Sequence, residues 1–390
     1  MPDSPYVARK IPAPLSFRNG GSLALGHLDL ELTERCNNRC VHCCINLPTA
    51  DQKARKRELT VTEVKGILSQ AVSLGCLSVR FTGGEPLLRD DFEDIYVFAR
   101  SLGLFVRLFT NATLITPHLA RLFSRVPPLR PIEVSVYGMK KSSYEAVTRS
   151  KGSFKAFRRG VELLQENGVA FTIKFALLPA NRDELDELER WALSIPGMGG
   201  LLPVAMFFDL RGRREQDRNR LIRKLRVTPE EGVKVLSRNE EEFIDCMKRF
   251  CSRCMRPPGK SLFPCGAGCG GCVDAYGKFQ PCLLLRAPAL AYDLRKGSLK
   301  DAVERHFPRV RRLKAEHAGY LKRCARCFLH GLCEQCPGKS WSEHGDLDTP
   351  VEYLCDVAHA QARFLGLITA GEHGWDIRDW RKRIRSFTHS

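Results

Sequence analysis

Cys36, Cys40 and Cys43 are separated by three and then two residues in Thr33-Glu-Arg-Cys36-Asn-Asn-Arg-Cys40-Val-His-Cys43-Cys44. Three thiolates this close together can hold three corners of one polynuclear iron site, because thiolates select soft and iron–sulfur centres. No fourth ligand follows at comparable spacing. Cys44 adjoins Cys43, and neighbouring side chains point apart, so Cys44 is given no ligand role. An iron without a protein ligand is open to substrate or cofactor. Two alternatives stand beside this reading: a three-cysteine zinc site completed by His42, and inert buried thiols.

A second cysteine-rich stretch runs from Phe263 to about Ala358 and contains two groups. One is Cys265-Gly-Ala-Gly-Cys269-Gly-Gly-Cys272, followed by Gly277 and Cys282. The other is Cys324, Cys327, Cys333 and Cys336, with Cys355 further on. The stretch has few large apolar residues for its length, so metal centres are expected to fold it. Paired Cys-x-x-Cys also suits zinc. Cys246, Cys251 and Cys254 are less regular and read more readily as thiols packed along a helix.

The elements that must position these groups are legible upstream. Strand-like runs at Leu28–Leu32, Leu77–Phe81, Phe105–Phe109, Ile132–Val136, Phe171–Leu177 and Val204–Phe208 alternate with helical patterns. The helical patterns are Thr60–Leu74, Asp90–Leu102, Thr116–Phe123, Ser153–Asn167 and Asn181–Ser194. Thr60 with Glu63 makes a capping box, and Gly75 and Gly168 sit where C-terminal caps belong. The class is therefore α/β, with a parallel sheet, outer helices and a barrel-like curvature. In βα barrels the chemistry gathers at the C-terminal ends of the strands. That rule places the cysteine loop, Thr82-Gly-Gly-Glu-Pro86, Thr110-Asn111, Ser135 with Tyr137 and Gly138, Lys174 with Asn181, and Asp209 with Arg211 on one rim.

Around this core, residues 1–26 read as a Pro/Gly-rich arm, 27–210 as the main domain and 211–262 as a basic bridge. Residues 263–358 read as the cysteine-rich domain and 359–390 as a helix and basic tail. The 390 residues suffice for two or three domains. No apolar run reaches the roughly 18 residues of a membrane span. The start, Met1-Pro-Asp-Ser-Pro-Tyr, lacks the pattern of a secretory signal, so the expected location is the cytoplasm. Seventeen cysteines in a reducing compartment point to metal ligation rather than disulfides. The net charge of +18 suits an acidic peptide, protein or nucleic acid, or merely solvated faces. No nucleic-acid module accompanies the basic runs, which argues against nucleic acid.

Together these residues resemble the radical S-adenosylmethionine (radical SAM) superfamily with a C-terminal SPASM domain. The cysteine triad, Gly83-Gly-Glu-Pro86 after the second strand, and the C-terminal cysteines carry the resemblance over residues 27 to about 358. It implies a partial (β/α)6 radical SAM barrel followed by a small cysteine-rich SPASM iron–sulfur domain. It also implies a [4Fe-4S] cluster on Cys36, Cys40 and Cys43 whose open iron chelates S-adenosylmethionine. Reductive cleavage then yields methionine and a 5′-deoxyadenosyl radical that takes a hydrogen atom from the substrate. Carried over by position, Gly83, Gly84, Glu85 and Pro86 meet the methionine moiety, with Ser135 near the ribose and Asn111 and Lys174 as further cofactor contacts. Two auxiliary [4Fe-4S] clusters are implied. Cys265, Cys282 and Cys336 serve the first, with Cys269, Cys272 or an open iron completing it. Cys324, Cys327, Cys333 and Cys355 serve the second. The implied partners are a ribosomally made peptide or protein substrate and a flavodoxin- or ferredoxin-like electron donor, with no membrane. A sulfatase-maturing role fits less well, because Leu283 stands where that subgroup has an acidic residue. Tetrapyrrole side-chain decarboxylation is the second enzymatic reading. A non-catalytic iron–sulfur or zinc protein is the third, and the Gly83–Pro86 segment argues against it.

Overall fold

The computed structural model describes residues 25–43, 45, 47–198, 204–208, 210, 216–265 and 267–389. The N-terminal arm before Leu25, together with Cys44, Asp209 and Arg211, lies outside them.

Six strands run parallel in sequence order: β1 (His27–Thr33), β2 (Ser78–Gly83), β3 (Phe105–Thr110), β4 (Ile132–Val136), β5 (Phe171–Ala176) and β6 (Val204–Ala205). Parallel neighbours need crossovers. The helices α1 (Gln52–Arg57), α2 (Val61–Ser73), α3 (Phe92–Ser101), α4 (Pro117–Arg125), α5 (Lys141–Thr148), α6 (Ser153–Glu166) and α7 (Leu185–Leu193) supply them. This is the strand order of a partial (β/α)6 barrel.

Local chemistry sets the helix ends. The capping box forms as expected: Thr60 accepts from the Glu63 amide, and the Glu63 carboxylate accepts from the Thr60 amide. Gly75 and Gly168 close α2 and α6 with positive φ, which glycine adopts without steric cost. The short α1 follows an Asp51 cap and carries the Lys53–Arg57 basic run on an exposed face.

Period-two alternation divides the sheet into two faces. Leu28, Leu30, Val79, Phe81, Val106, Leu108, Val134 and Ile173 are buried on one. The other is polar. There Arg80 reaches Asp29 on the neighbouring strand (2.5 Å) and stacks over Phe109 with 4.9 Å to the ring centre. Ser135 and Lys174, paired in register, share that face.

A three-strand extension joins the outer edge of β1. Strand β7 (Gly270–Val273) pairs parallel with β1, and β8 (Lys278–Gln280) and β9 (Tyr292–Asp293) follow antiparallel. The sheet order is therefore β9-β8-β7-β1-β2-β3-β4-β5-β6. The cysteine-rich stretch, expected to form a separate domain, thus sends its first half into the main sheet. One compact unit comprises residues up to 205, 266–283 and 288–308; the other comprises 206–265, 284–287 and 309–390.

The second unit is helical. It contains α8 (Gln216–Leu225), α9 (Pro229–Leu236), α10 (Glu240–Cys254), α11 (Pro337–His344), α12 (Glu352–Phe364) and α13 (Trp380–His389). Its core joins Phe243, Phe328, Leu329, Leu332, Leu367 and Ile384. Helix α10 and the C-terminal segment thus supply the apolar side chains that residues 263–358 lack. Cys251 is buried in this core, as a packed helical thiol, while Cys246 and Cys254 are exposed.

One contact locks the site's strands together. Gly84 donates from its amide to the Thr33 carbonyl (2.7 Å), and Glu85 donates to the Arg35 carbonyl (2.9 Å). A Cβ on Gly84 would lie 2.1 Å from the Arg35 oxygen, a backbone atom that cannot swing aside. Gly84→Ala is expected to cost about 1–3 kcal/mol by overpacking. Gly66→Ala, in α2 with nothing within 4 Å of its Cβ, is expected to stabilise by roughly 0.5–1 kcal/mol. Denaturant midpoints of the two variants check both signs.

Candidate functional site

Chain geometry brings three sequence-distant segments to the C-terminal ends of β1, β2 and β3. After β1 the chain forms a short parallel ribbon, Arg35–Cys36 against Leu47–Pro48, and the cysteine loop spans the residues between. The loop is pinned from α5, where the Thr148 and Val147 carbonyls accept from the Arg39 (2.8 Å) and Val41 (3.0 Å) amides. Its base is held by a buried ion pair. The Glu58 carboxylate accepts from Arg35 Nε (2.8 Å) and Nη2 (3.0 Å) and from the Thr33 hydroxyl (2.5 Å).

Backbone and side-chain donors face the sulfurs. The Asn38 amide lies 3.4 Å from Cys36 Sγ, and the Ile45 amide 3.4 Å from Cys43 Sγ. Asn111 Nδ2 lies 3.8 Å from Cys36 Sγ and donates to Asn37 Oδ1 (3.0 Å). The Tyr137 hydroxyl bonds the Cys40 thiol. Such donors favour the thiolate form. Burial opposes them: it pushes the Cys36 thiol up to about 12, with the Glu85 carboxylate adding to the rise, and holds Cys40 well above its usual range. Deprotonated sulfur in so dry a place requires a cation to compensate it.

Glu85 is 1% exposed. Its carboxylate accepts from Thr110 Oγ1 (2.8 Å), the Asn111 amide (2.8 Å) and the Leu87 amide (3.2 Å). It thereby ties the β2 loop to the β3 loop. Pro86 opens a single 3-10 turn, Pro86–Leu88. Arg89, just beyond, donates to the Leu32 (3.1 Å) and Leu59 (2.9 Å) carbonyls. Gly83, at φ +126°, faces the Thr33 backbone, so its freedom serves the packing of strand ends. Asn111 is buried and accepts from the Thr113 amide (2.9 Å). Ser135 is half-buried and Lys174 exposed; among the described residues no hydrogen bond ties either to the cysteine loop.

The residues present fit a bound polar group. The Asn38 side-chain amide is buried with neither its nitrogen nor its oxygen partnered by protein. Buried amides are satisfied in native structures.

The C-terminal cysteines fall into two settings. Cys272 is wholly buried within β7, in register with Asp29 and Gln280, while Cys269 is exposed at the strand's start. Gly268, just before Cys269, donates to the carbonyl of Pro281, just before Cys282 (3.0 Å). Cys265 is exposed, and Cys336 half-buried at the N-terminus of α11. In the second unit, Cys324, Cys327, Cys333 and Cys355 line one pocket with Arg323, His330, His359 and Trp375. Arg323 Nε is buried there without a partner. Among the described residues no three ligand side chains converge on a single-ion site. Thiols arranged around a pocket suit a polynuclear group, whose thiolates bind separate irons.

Residues 30–192 match the family profile of the radical SAM superfamily. That stretch of the chain carries a radical SAM domain. An AdoMet-dependent heme synthase of Methanosarcina barkeri is 25% identical over 339 residues, 81% of this chain and 92% of that protein. The mycofactocin maturase MftC of Mycolicibacterium smegmatis is 30% identical over 177 residues, 45% of this chain and 43% of that one. Among solved structures, anSMEcpe with bound AdoMet and the Kp18Cys peptide superposes with a TM-score of 0.63 at 15% identity, covering 93% of this chain and 99% of that one. This last likeness establishes the fold. The radical SAM domain implies a [4Fe-4S] cluster and S-adenosylmethionine.

Motif reading singled out the cysteines, Gly83–Pro86 and Asn111. It missed Arg35 with Glu58, Asn37, Asn38 and Arg89, whose parts depend on contacts across strands. The repeated Asn37-Asn38 inside the triad was the one local signal.

The buried Glu85 carboxyl is raised from 4.5 to about 7 by desolvation, against the pull of its three donors. A raised folded value means that its contribution to stability is fully present below about 4.5 and is lost as the pH rises through about 7. Glu85→Gln, which keeps a neutral side chain, is expected to flatten the pH dependence of the denaturant midpoint between pH 5 and 8. An unchanged slope would count against the assignment.

Proposed function

We propose that this chain binds a [4Fe-4S] cluster and S-adenosylmethionine at the cysteine loop and removes a hydrogen atom from a ribosomally made peptide or protein. One observation carries the reading: the loop bearing Cys36, Cys40 and Cys43 is bonded through backbone and side chain to Glu85 and Asn111 from the two neighbouring strands. An electron carrier needs no such set of polar groups from adjacent strands around its cysteines. When bound, cluster and cofactor supply the reductive cleavage that generates a 5′-deoxyadenosyl radical.

The chain's own residues have separate tasks in this reading. Cys36, Cys40 and Cys43 hold the metal, and the Asn38 and Ile45 amides stabilise the sulfurs. Asn38 meets the cofactor with its unpartnered side-chain amide. Gly83, Gly84, Glu85 and Pro86 fix the wall against which the methionine moiety rests. Ser135, Asn111 and Lys174 complete the cofactor's contacts from the polar face of β3–β5. Cys324, Cys327, Cys333 and Cys355 hold one auxiliary cluster. The other is completed by Cys269, Cys272 or an open iron; Cys269 is exposed ahead of β7, while Cys272 lies within the strand.

The peptide reading draws support from the maturase relative and from the fold shared with an enzyme seen with bound peptide. A tetrapyrrole oxidative decarboxylase is the second reading. The heme synthase alignment, spanning 92% of that protein, favours it. A net charge of +18 suits a carboxylate-bearing substrate in either case, and an acidic flavodoxin- or ferredoxin-like electron donor. The reading places the chain in the cytoplasm.

Anaerobic reconstitution with iron, sulfide, dithionite and S-adenosylmethionine is expected to yield 5′-deoxyadenosine. Replacing Cys36, Cys40 and Cys43 by Ala is expected to abolish that product while iron bound by the C-terminal cysteines remains. Product formation by the triple variant would overturn the site. Conversion of iron-coproporphyrin III, with no mass change in a co-expressed precursor peptide, would decide for the tetrapyrrole reading.

A further inference from the structure

The second auxiliary site carries a device that the ligand cysteines alone do not explain. Cys355 lies in the first turn of α12, one turn after Glu352 and one turn before His359. Arg323 precedes Cys324 and reaches across to this helix. Its two terminal nitrogens grip Glu352 bidentately, Nη1 at 2.8 Å and Nη2 at 2.7 Å, and Nη2 lies 3.5 Å from Cys355 Sγ. The guanidinium stacks over Trp375 with 4.8 Å to the ring centre. A planar fork fixed on one edge by a carboxylate and on one face by an indole has little freedom left.

A second donor meets the same cysteine. The Gly374 amide donates to His359 Nε2 (3.1 Å), so Nε2 is the acceptor and Nδ1 carries the proton. Nδ1 lies 2.8 Å from the Cys355 carbonyl and 3.6 Å from its sulfur. The segment that supplies Gly374 and Trp375 packs directly on another ligand. A Cβ on Gly374 would come within 2.7 Å of Cys327 Sγ, and His373 stacks on Trp375 with 4.5 Å between ring centres. The C-terminal segment is thus part of the wall of this pocket.

Resting on the reading that Cys324, Cys327, Cys333 and Cys355 hold a [4Fe-4S] cluster, we propose that Arg323 is a positioning residue that orients Cys355 and raises that cluster's reduction potential. The orphaned Nε, buried at the pocket, fits an anionic group there. Glu352 offsets the charge of the guanidinium at longer range, so its local action is the hydrogen bond to the ligand sulfur, which stabilises the more negative, reduced state and so moves the potential upward. Trp375 adds to this by excluding water and keeping the guanidinium in place. The site is thereby set apart from the cysteine loop of the first unit, where the donors to sulfur are backbone amides, a carboxamide and a phenol.

The test uses the full-length protein, reconstituted anaerobically, as wild type, Arg323→Gln and Arg323→Lys. Bound iron is counted, and each cluster transition is followed by EPR-monitored potentiometric titration. Equal iron is expected in all three. One transition is expected to move to more negative potential in Arg323→Gln, with Arg323→Lys intermediate because it keeps the charge but loses the fork. The other transitions stay in place. An unmoved set of transitions in an iron-replete Arg323→Gln overturns the proposal. So does loss of iron from both variants, which would make Arg323 a scaffold only. If Arg323→Gln alone loses iron, the Arg323→Lys transition decides: a negative shift supports the proposal and an unmoved one overturns it. Failure of the underlying cluster reading shows separately, as wild-type protein whose iron is all lost when Cys36, Cys40 and Cys43 are replaced.

Discussion

Two backbone hydrogen bonds, from Gly84 to Thr33 and from Glu85 to Arg35, hold the rest of the site together. They join the end of β2 to the start of the cysteine loop at a distance that only a residue without a Cβ permits. From that junction the constraints propagate. Glu85 is carried into the protein, where it collects Thr110, Asn111 and Leu87 as donors. Asn111 then turns toward Asn37 and Cys36. On the loop's other side, the Arg35–Glu58 pair anchors the same strand end. Breaking a buried pair of this kind by removing one partner leaves a charge uncompensated, at a cost of about 3–5 kcal/mol. The glycines of the β2 loop thus act on the cysteines through packing, before any cofactor contact is considered.

A second theme is the tension between burial and charge. Cys36, Cys40 and Tyr137 are all held in protonated forms by desolvation. The amides aimed at the sulfurs reduce that penalty without removing it. Iron resolves it, since metal binding and thiol deprotonation are one linked event. The same logic governs the second unit, where burial also raises Cys324, Cys327 and Cys333. There a guanidinium, Arg323, lies beside a ligand sulfur while its charge is paired with Glu352, and the two sites differ in that respect.

Much of this was legible in the sequence. All six parallel strands lie within a few residues of their expected positions, because their short alternating apolar and polar runs are punctuated by helix caps. The rim rule grouped the cysteine loop with Gly83–Pro86 and Asn111 correctly. Other features were not legible, for identifiable reasons. Helix α1 is a charged run with no apolar period, so Lys53–Arg57 read only as a basic patch. Strand β7 is Gly-Gly-Cys-Val, whose strand character comes from pairing with β1 and not from its own residues. The C-terminal segment read as a tail because its role depends on contacts such as Trp375 on Arg323 and Ile384 in the helical core. Asn38, buried and unpartnered, could be seen only once the loop's packing was known.

The central claim is that Cys36, Cys40 and Cys43 hold a cluster with one iron open to the amino and carboxylate groups of S-adenosylmethionine. Electron–nuclear double resonance of the reduced protein, with 15N-amino-labelled S-adenosylmethionine, tests this directly. A 15N coupling to the cluster electron spin is predicted in wild type, and its loss when the three cysteines are replaced by Ala. A reduced, iron-replete wild-type protein with no such coupling would contradict the account.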